Sequence, residues 1–246
     1  MRVCGVLAGL CAALALSACA ENTHHLTTHY IDRFATPKPT LAEFTVCHGF
    51  GCAERSHASL SLAEWNKVRA VFRPRARNAK AERQQVARAV ALMERLVGPK
   101  TGTNVHQWTH RNKLIYPNFG DPTQLDCVDE SVNTWTYMTM MERGNLLRFH
   151  RVASLSNAGG LTDPFMRNTA VLKEKDGGYY AIDTSLVGYG EPPTVMPLAT
   201  WMGSWPPKAV ASEAPAESKE RQRTRNHRKQ EQSAKTAKPR PQANNS

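Results

Sequence analysis

Asp126-Cys127-Val128-Asp129-Glu130 opens a run to Arg143-Gly144 in which Val128, Val132, Trp135 and Thr139 recur at helical spacing. Asp126 is a good N-cap and Gly144 a stop, so the pattern predicts a helix over 126–143. Downstream the period changes. Leu146–Leu155, Asn168–Lys175 and Tyr179–Ser185 read as strands, and Asp176-Gly177-Gly178 between the last two is a hairpin signal. Upstream, Ser61-Leu62-Ala63-Glu64 is a capping-box pattern that opens a helix to about Phe72. Residues 79–97 follow as a helix, with Val86, Val90, Met93 and Val97 on one face and Gly98 as its stop. N-terminal helices followed by antiparallel strands give an α+β domain.

The chain has 246 residues, 41% hydrophobic and 22% charged, with 32 Lys and Arg against 21 Asp and Glu. That length suits one folded domain with extensions. Trp, Leu, Val and Phe recur through the middle, which excludes disorder of the whole chain. A single apolar run, at the N-terminus, excludes a polytopic membrane protein. Met1-Arg2 is a short basic start, and Val3–Leu16 is too short for a comfortable span and ends in small residues, as signal peptides do.

Leu16-Ser17-Ala18-Cys19 resembles the lipobox of bacterial lipoproteins. The resemblance implies removal of residues 1–18 and acylation of Cys19, a stable membrane anchor. Ala20-Glu21 follows, without an Asp after the Cys to suggest retention at the inner membrane. The expected location is the periplasmic face of the envelope, at the outer membrane. Residues 19–40, rich in Thr, His and Pro, read as a flexible linker, and His24, His25 and His29 within it do not form a defined metal spacing. The tail, residues 208–246, holds ten Lys/Arg and four Asp/Glu and lacks Leu, Ile, Phe, Tyr and Trp. It reads as disordered. Behind a lipobox its basic residues point to anionic envelope polymers or headgroups, not to nucleic acid. The folded unit is therefore expected over 41–207.

Of six cysteines, Cys4 and Cys11 leave with the leader and Cys19 is the acylation site, so Cys47, Cys52 and Cys127 remain. In Cys47-His48-Gly49-Phe50-Gly51-Cys52 two glycines let the chain turn tightly enough to close a disulfide. A metal site adding His48 and His57 is the alternative. Cys127 is then the lone thiol, in the first turn of a helix. There, N–H groups and the helix dipole favour a thiolate, while Asp126, Asp129 and Glu130 oppose it. Trp135, Tyr137, Met138, Met140 and Met141 on the same helix read as core. Trp201 and Trp205 read as anchors of a C-terminal strap.

Leu125-Asp126-Cys127-Val128-Asp129-Glu130, Gly144, Thr169-Ala170-Val171-Leu172 and Tyr180-Ala181-Ile182-Asp183, in that order, resemble the bacterial transglutaminase-like cysteine peptidases. The resemblance covers roughly residues 120–190 and implies a papain-like fold with a Cys–His–Asp triad. It maps Cys127 to the nucleophile and Asp183 to the triad acid, and it makes Asp126 and Asp129 candidate calcium ligands. The histidine is missing. The strand that should carry it reads Arg167-Asn168-Thr169, and no His follows His150 until His227. Alternation along the strand sets Arg167 and Thr169 on one face, either at the histidine position, and neither is a base near neutral pH. Two functions follow. One is a degenerate domain that binds or scaffolds an envelope peptide or protein. The other is an active hydrolase with His150 as a substitute base, Asp183 as its orienter and Gln124 as a possible oxyanion donor.

Overall fold

In the computed structural model the described residues are 26–104, 121–159 and 166–203. The leader with Cys19, His24 and His25, Trp205 and the basic tail lie outside them. The chain divides into two units at Met202–Gly203, and the fold below is that of the first.

Strands β1 (Leu26–Thr27), β4 (His150–Ala158), β5 (Arg167–Glu174), β6 (Tyr179–Asp183) and β7 (Thr194–Pro197) form one antiparallel sheet in the order β1-β4-β5-β6-β7. A separate hairpin joins β2 (Phe44–His48) to β3 (Glu54–Ala58). The helices are α1 (His29–Phe34), α2 (Leu62–Val71), α3 (Ala79–Thr101), α4 (Cys127–Arg143) and α5 (Leu198–Trp201). This is the expected α+β class with an antiparallel sheet.

Helix α4 is the centre. One side packs on β4 and β5, another on β2, and α3 and α1 also touch it. A helix covered on nearly every side must be buried all round, and Val132, Tyr137, Met138 and Met141 are at most 2% exposed. Its polar residues then need partners inside. The Asn133 side chain accepts from Cys47 N–H at 2.7 Å and donates from Nδ2 to Cys47 C=O at 2.9 Å, holding the hairpin to the helix. Trp135 Nε1 donates to Ala153 C=O at 2.9 Å, beside a register shift between Val152 and Leu155 on β4.

The local signals for α2 and α4 correspond to the observed ends. Ser61 and Glu64 close a capping box, and Asp126 and Asp129 close a second one at α4. Three expectations need correction. The linker over 19–40 gives way to structure at Leu26: β1 covers the edge of β4, and α1 buries Ile31 with Tyr30 and Phe34 against the core. Composition alone does not show that Leu26-Thr27 has a sheet edge to pair with, or that Tyr30, Ile31 and Phe34 have a core to join. Helix α3 does not stop at Gly98 but runs to Thr101 and ends at Gly102, whose φ is 76°. Gly98 is there for space, because a Cβ would collide with the Tyr189 hydroxyl. Finally, β4 starts at His150 instead of Leu146, since Leu146 still bonds to Met141 C=O in the turn after α4.

The start of β4 is fixed from α3. Glu82, 2% exposed, accepts from the N–H groups of Arg148 (2.7 Å), Phe149 (2.9 Å) and His150 (3.1 Å) and from His150 Nδ1 (2.9 Å).

Candidate functional site

Cys127 occupies the first turn of α4, half-buried, with its Sγ toward the beginning of β5. Asn168 Nδ2 donates to Sγ at 3.5 Å, and the thiol reaches Met166 C=O at 3.8 Å. Among the described residues no imidazole lies within hydrogen-bonding distance of the thiol. Burial first, then the Asp126 carboxylate, pushes the Cys127 thiol up to about 12; Asn168 pulls it down, and Glu130 adds to the push. The group is a thiol at neutral pH, and the benefit of the helix N-terminus is outweighed.

The residue facing Cys127 from β5 is therefore Asn168, not Arg167 or Thr169. Side chains alternate along a strand, so Asn168 shares its face with Ala170, which pairs with Ile182 on β6. Arg167, Thr169 and Asp183 stand on the other face. There Asp183 Oδ2 accepts from Trp201 Nε1 at 2.6 Å, and Oδ1 accepts from Ser185 N–H at 2.9 Å and its hydroxyl at 2.6 Å. The Arg167 guanidinium stacks 5.1 Å over the Trp201 ring. Asp183 thus helps to seat the buried Trp201 of α5, and the sheet separates it from Cys127.

His150 is also remote. It pairs with Glu174, whereas Asn157 pairs with Asn168, so six residues of β5 put roughly 20 Å between His150 and the Cys127 end of the sheet. It is 1% exposed, with Nδ1 on Glu82 and Nε2 at 3.2 Å from the Arg83 guanidinium. Arg83 also pairs with Glu174 at 2.7 Å and stacks 3.6 Å over the Tyr180 ring. The histidine is a buried structural link between α3 and β4.

Asp126 and Asp129 do not fit calcium. A calcium site needs six to eight oxygens free to turn toward the ion. Asp126 Oδ1 instead accepts from Val128 and Asp129 N–H. Asp129 Oδ1 accepts from Cys52 N–H at 2.6 Å, and Oδ2 accepts from Phe50 N–H at 3.1 Å and Asp126 N–H at 2.9 Å. Those protons point where an ion would sit. Burial first, then Asp126, pushes the Asp129 carboxyl well above the ordinary range, and the backbone donors pull against that.

Cys47 and Cys52 form the expected disulfide, with Cα atoms 4.7 Å apart. Their sulfurs lie within 4.8 Å of the Asp129 carboxylate, but disulfide sulfurs offer no thiolate to a metal. Of the histidines in the metal alternative, His48 has Nδ1 on Pro122 C=O and Nε2 on Ser56 Oγ, and His57 stands at the surface with Glu43. The bridged loop docks on the start of α4. Gly49 N–H donates to Gln124 C=O at 2.8 Å, and Gly49, Phe50, Gly51 and Cys52 have φ of 80°, 74°, 69° and 57°. Within this run of positive φ, the Phe50 and Cys52 N–H groups turn to the Asp129 carboxylate.

The structure thus brings Cys127, Asn168, Asp126, Asp129 and the disulfide loop to one end of α4, and it leaves Asp183 and His150 elsewhere. Asn168 and Asn133 were not legible as site residues. No known family model, curated protein or solved structure matches this chain.

Proposed function

We propose that the protein is a lipid-anchored component of the cell envelope, facing the periplasm at the outer membrane. Its α+β domain is a degenerate transglutaminase-like, papain-like cysteine peptidase domain used for binding or scaffolding an extended envelope peptide or protein. The observation that carries this reading is Asn168, whose amide stands 3.5 Å from Cys127 Sγ where a peptidase needs an imidazole. An amide can hydrogen-bond a thiol but cannot take its proton or return it to a leaving group. The raised Cys127 pKa and the removal of Asp183 to the far face support the same conclusion.

The chemical half of the proposal is tested by alkylation and by Asn168→His. The parent protein should react slowly with iodoacetamide at Cys127 near neutral pH and should not cleave peptides, with or without calcium. An imidazole at 168 lowers the thiol pKa, and each unit raises the thiolate fraction about tenfold. Asn168→His should therefore speed alkylation by at least about tenfold, still without peptide hydrolysis, because Asp183, the carboxylate that would orient the new ring, stands on the other face of the sheet. Peptide cleavage by the parent that is lost in Cys127→Ala would sink the degenerate reading.

The anchor is tested separately. Mass spectrometry of the mature N-terminus should find an acylated Cys19. A free N-terminal residue at any other position overturns that part of the proposal.

A further inference from the structure

Between α2 and α3 the chain displays a dense cationic surface. Residues 67–80 contain six Lys or Arg (Lys67, Arg69, Arg73, Arg75, Arg77 and Lys80) and no Asp or Glu. Phe72 and Ala76 turn inward, and Arg73, Arg75, Arg77 and Lys80 are exposed. The loop is held in shape. Gln85, itself buried, donates from Nε2 to Pro74 C=O at 2.7 Å, and Asn78 caps α3 by accepting from Ala81 N–H at 2.8 Å. Among the described residues no carboxylate pairs with Arg73, Arg75, Arg77 or Lys80. Glu82, the nearest acid in sequence, is turned inward to His150. The 23-residue α3 adds the positive end of its dipole at the same place.

We propose that this ordered loop docks on the anionic headgroups of the membrane that holds the lipid anchor. The proposal rests on the lipid-anchor reading of Cys19. The seven steps of chain from Cys19 to Leu26 span at most about 25 Å, so an anchored domain stays close to the bilayer. At that effective concentration a modest electrostatic attraction is enough to set its orientation. Arginine suits the task, since its planar fork matches phosphate oxygens. The fold also sets the two contacts apart. Leu26 pairs with Ser156 near one end of β4, and Glu82, beside the loop, holds Arg148–His150 at the other.

The test is cosedimentation of the non-acylated mature chain, residues 20–246, with vesicles at low salt. It should bind vesicles of equimolar phosphatidylcholine and phosphatidylglycerol and leave pure phosphatidylcholine vesicles in solution. Each surface-facing charge is worth about fivefold. The triple variant Arg73→Gln, Arg75→Gln, Arg77→Gln should therefore bind about 100-fold more weakly, and the same three positions changed to Lys should stay within a few-fold of the parent. Neutralising Arg221, Arg223, Arg225 and Arg228 in the tail tests the rival source of charge and should leave most of the binding. The proposal is overturned if the Gln triple binds like the parent, if the tail variant alone abolishes binding, or if duplex DNA outcompetes the vesicles at equal phosphate. An unacylated N-terminus by mass spectrometry would remove the anchor reading alone, leaving the vesicle result to be judged by itself.

Discussion

Glu82→Ala is expected to destabilise the domain by about 3–5 kcal/mol, since each buried donor left without its acceptor costs about 1–3 kcal/mol. Its two oxygens receive three backbone N–H groups and the His150 ring, and alanine would leave all four donors without an acceptor. Glu82→Gln should cost nearly as much, because its NH₂ must face at least one of those N–H groups. Urea unfolding should show a lower midpoint with an unchanged slope. A loss below about 1 kcal/mol would show that the carboxylate is replaceable there.

The same residue sets an acid limb. Burial by itself would raise the Glu82 carboxyl, but His150 and the Arg148 and Phe149 N–H groups outweigh it and hold the carboxyl below its ordinary value. A depressed folded-state pKa contributes stability that is present above the unfolded value and lost as pH falls through the folded one. The parent should therefore lose stability progressively below about pH 4.5, and the Gln variant should show a flatter dependence over that window. An equally steep acid limb in Glu82→Gln would assign the effect to other carboxylates.

Asp129→Ala is expected to cost about 3 kcal/mol and to release the Gly49–Cys52 loop. Three N–H donors lose their acceptor, and Phe50 and Cys52, the loop's two non-glycine residues, lose the contact that stabilises their positive φ. The disulfide still joins the loop ends, so the loss should be local. Hydrogen exchange at the Phe50 and Cys52 amides should accelerate, while Tyr137 and Met138 in the middle of α4 stay protected. Unchanged protection at Phe50 and Cys52 would mean that the disulfide holds the loop unaided.

What rests on neighbours along the chain was readable in the order of the residues. The Ser61–Glu64 box, the Asp126 cap, the Gly177-Gly178 hairpin and the Cys47–Cys52 bridge each involve groups within a few residues, so the α+β class and the start of α4 beneath Cys127 were legible. Tertiary structure alone decided which residue meets the thiol. A strand with one wet face reveals its phase through alternation, but β5 is central and buried on both faces, from Arg167 through Leu172. Polarity then cannot say whether Asn168 or its two neighbours face α4. The fate of Asp183 and His150 was hidden for a related reason. Each is a buried polar group that had to find partners, and those partners, Trp201 for one and Glu82 and Arg83 for the other, lie 18 to 68 residues away. Only the folded chain selects among such distant partners, and here it placed both residues away from Cys127.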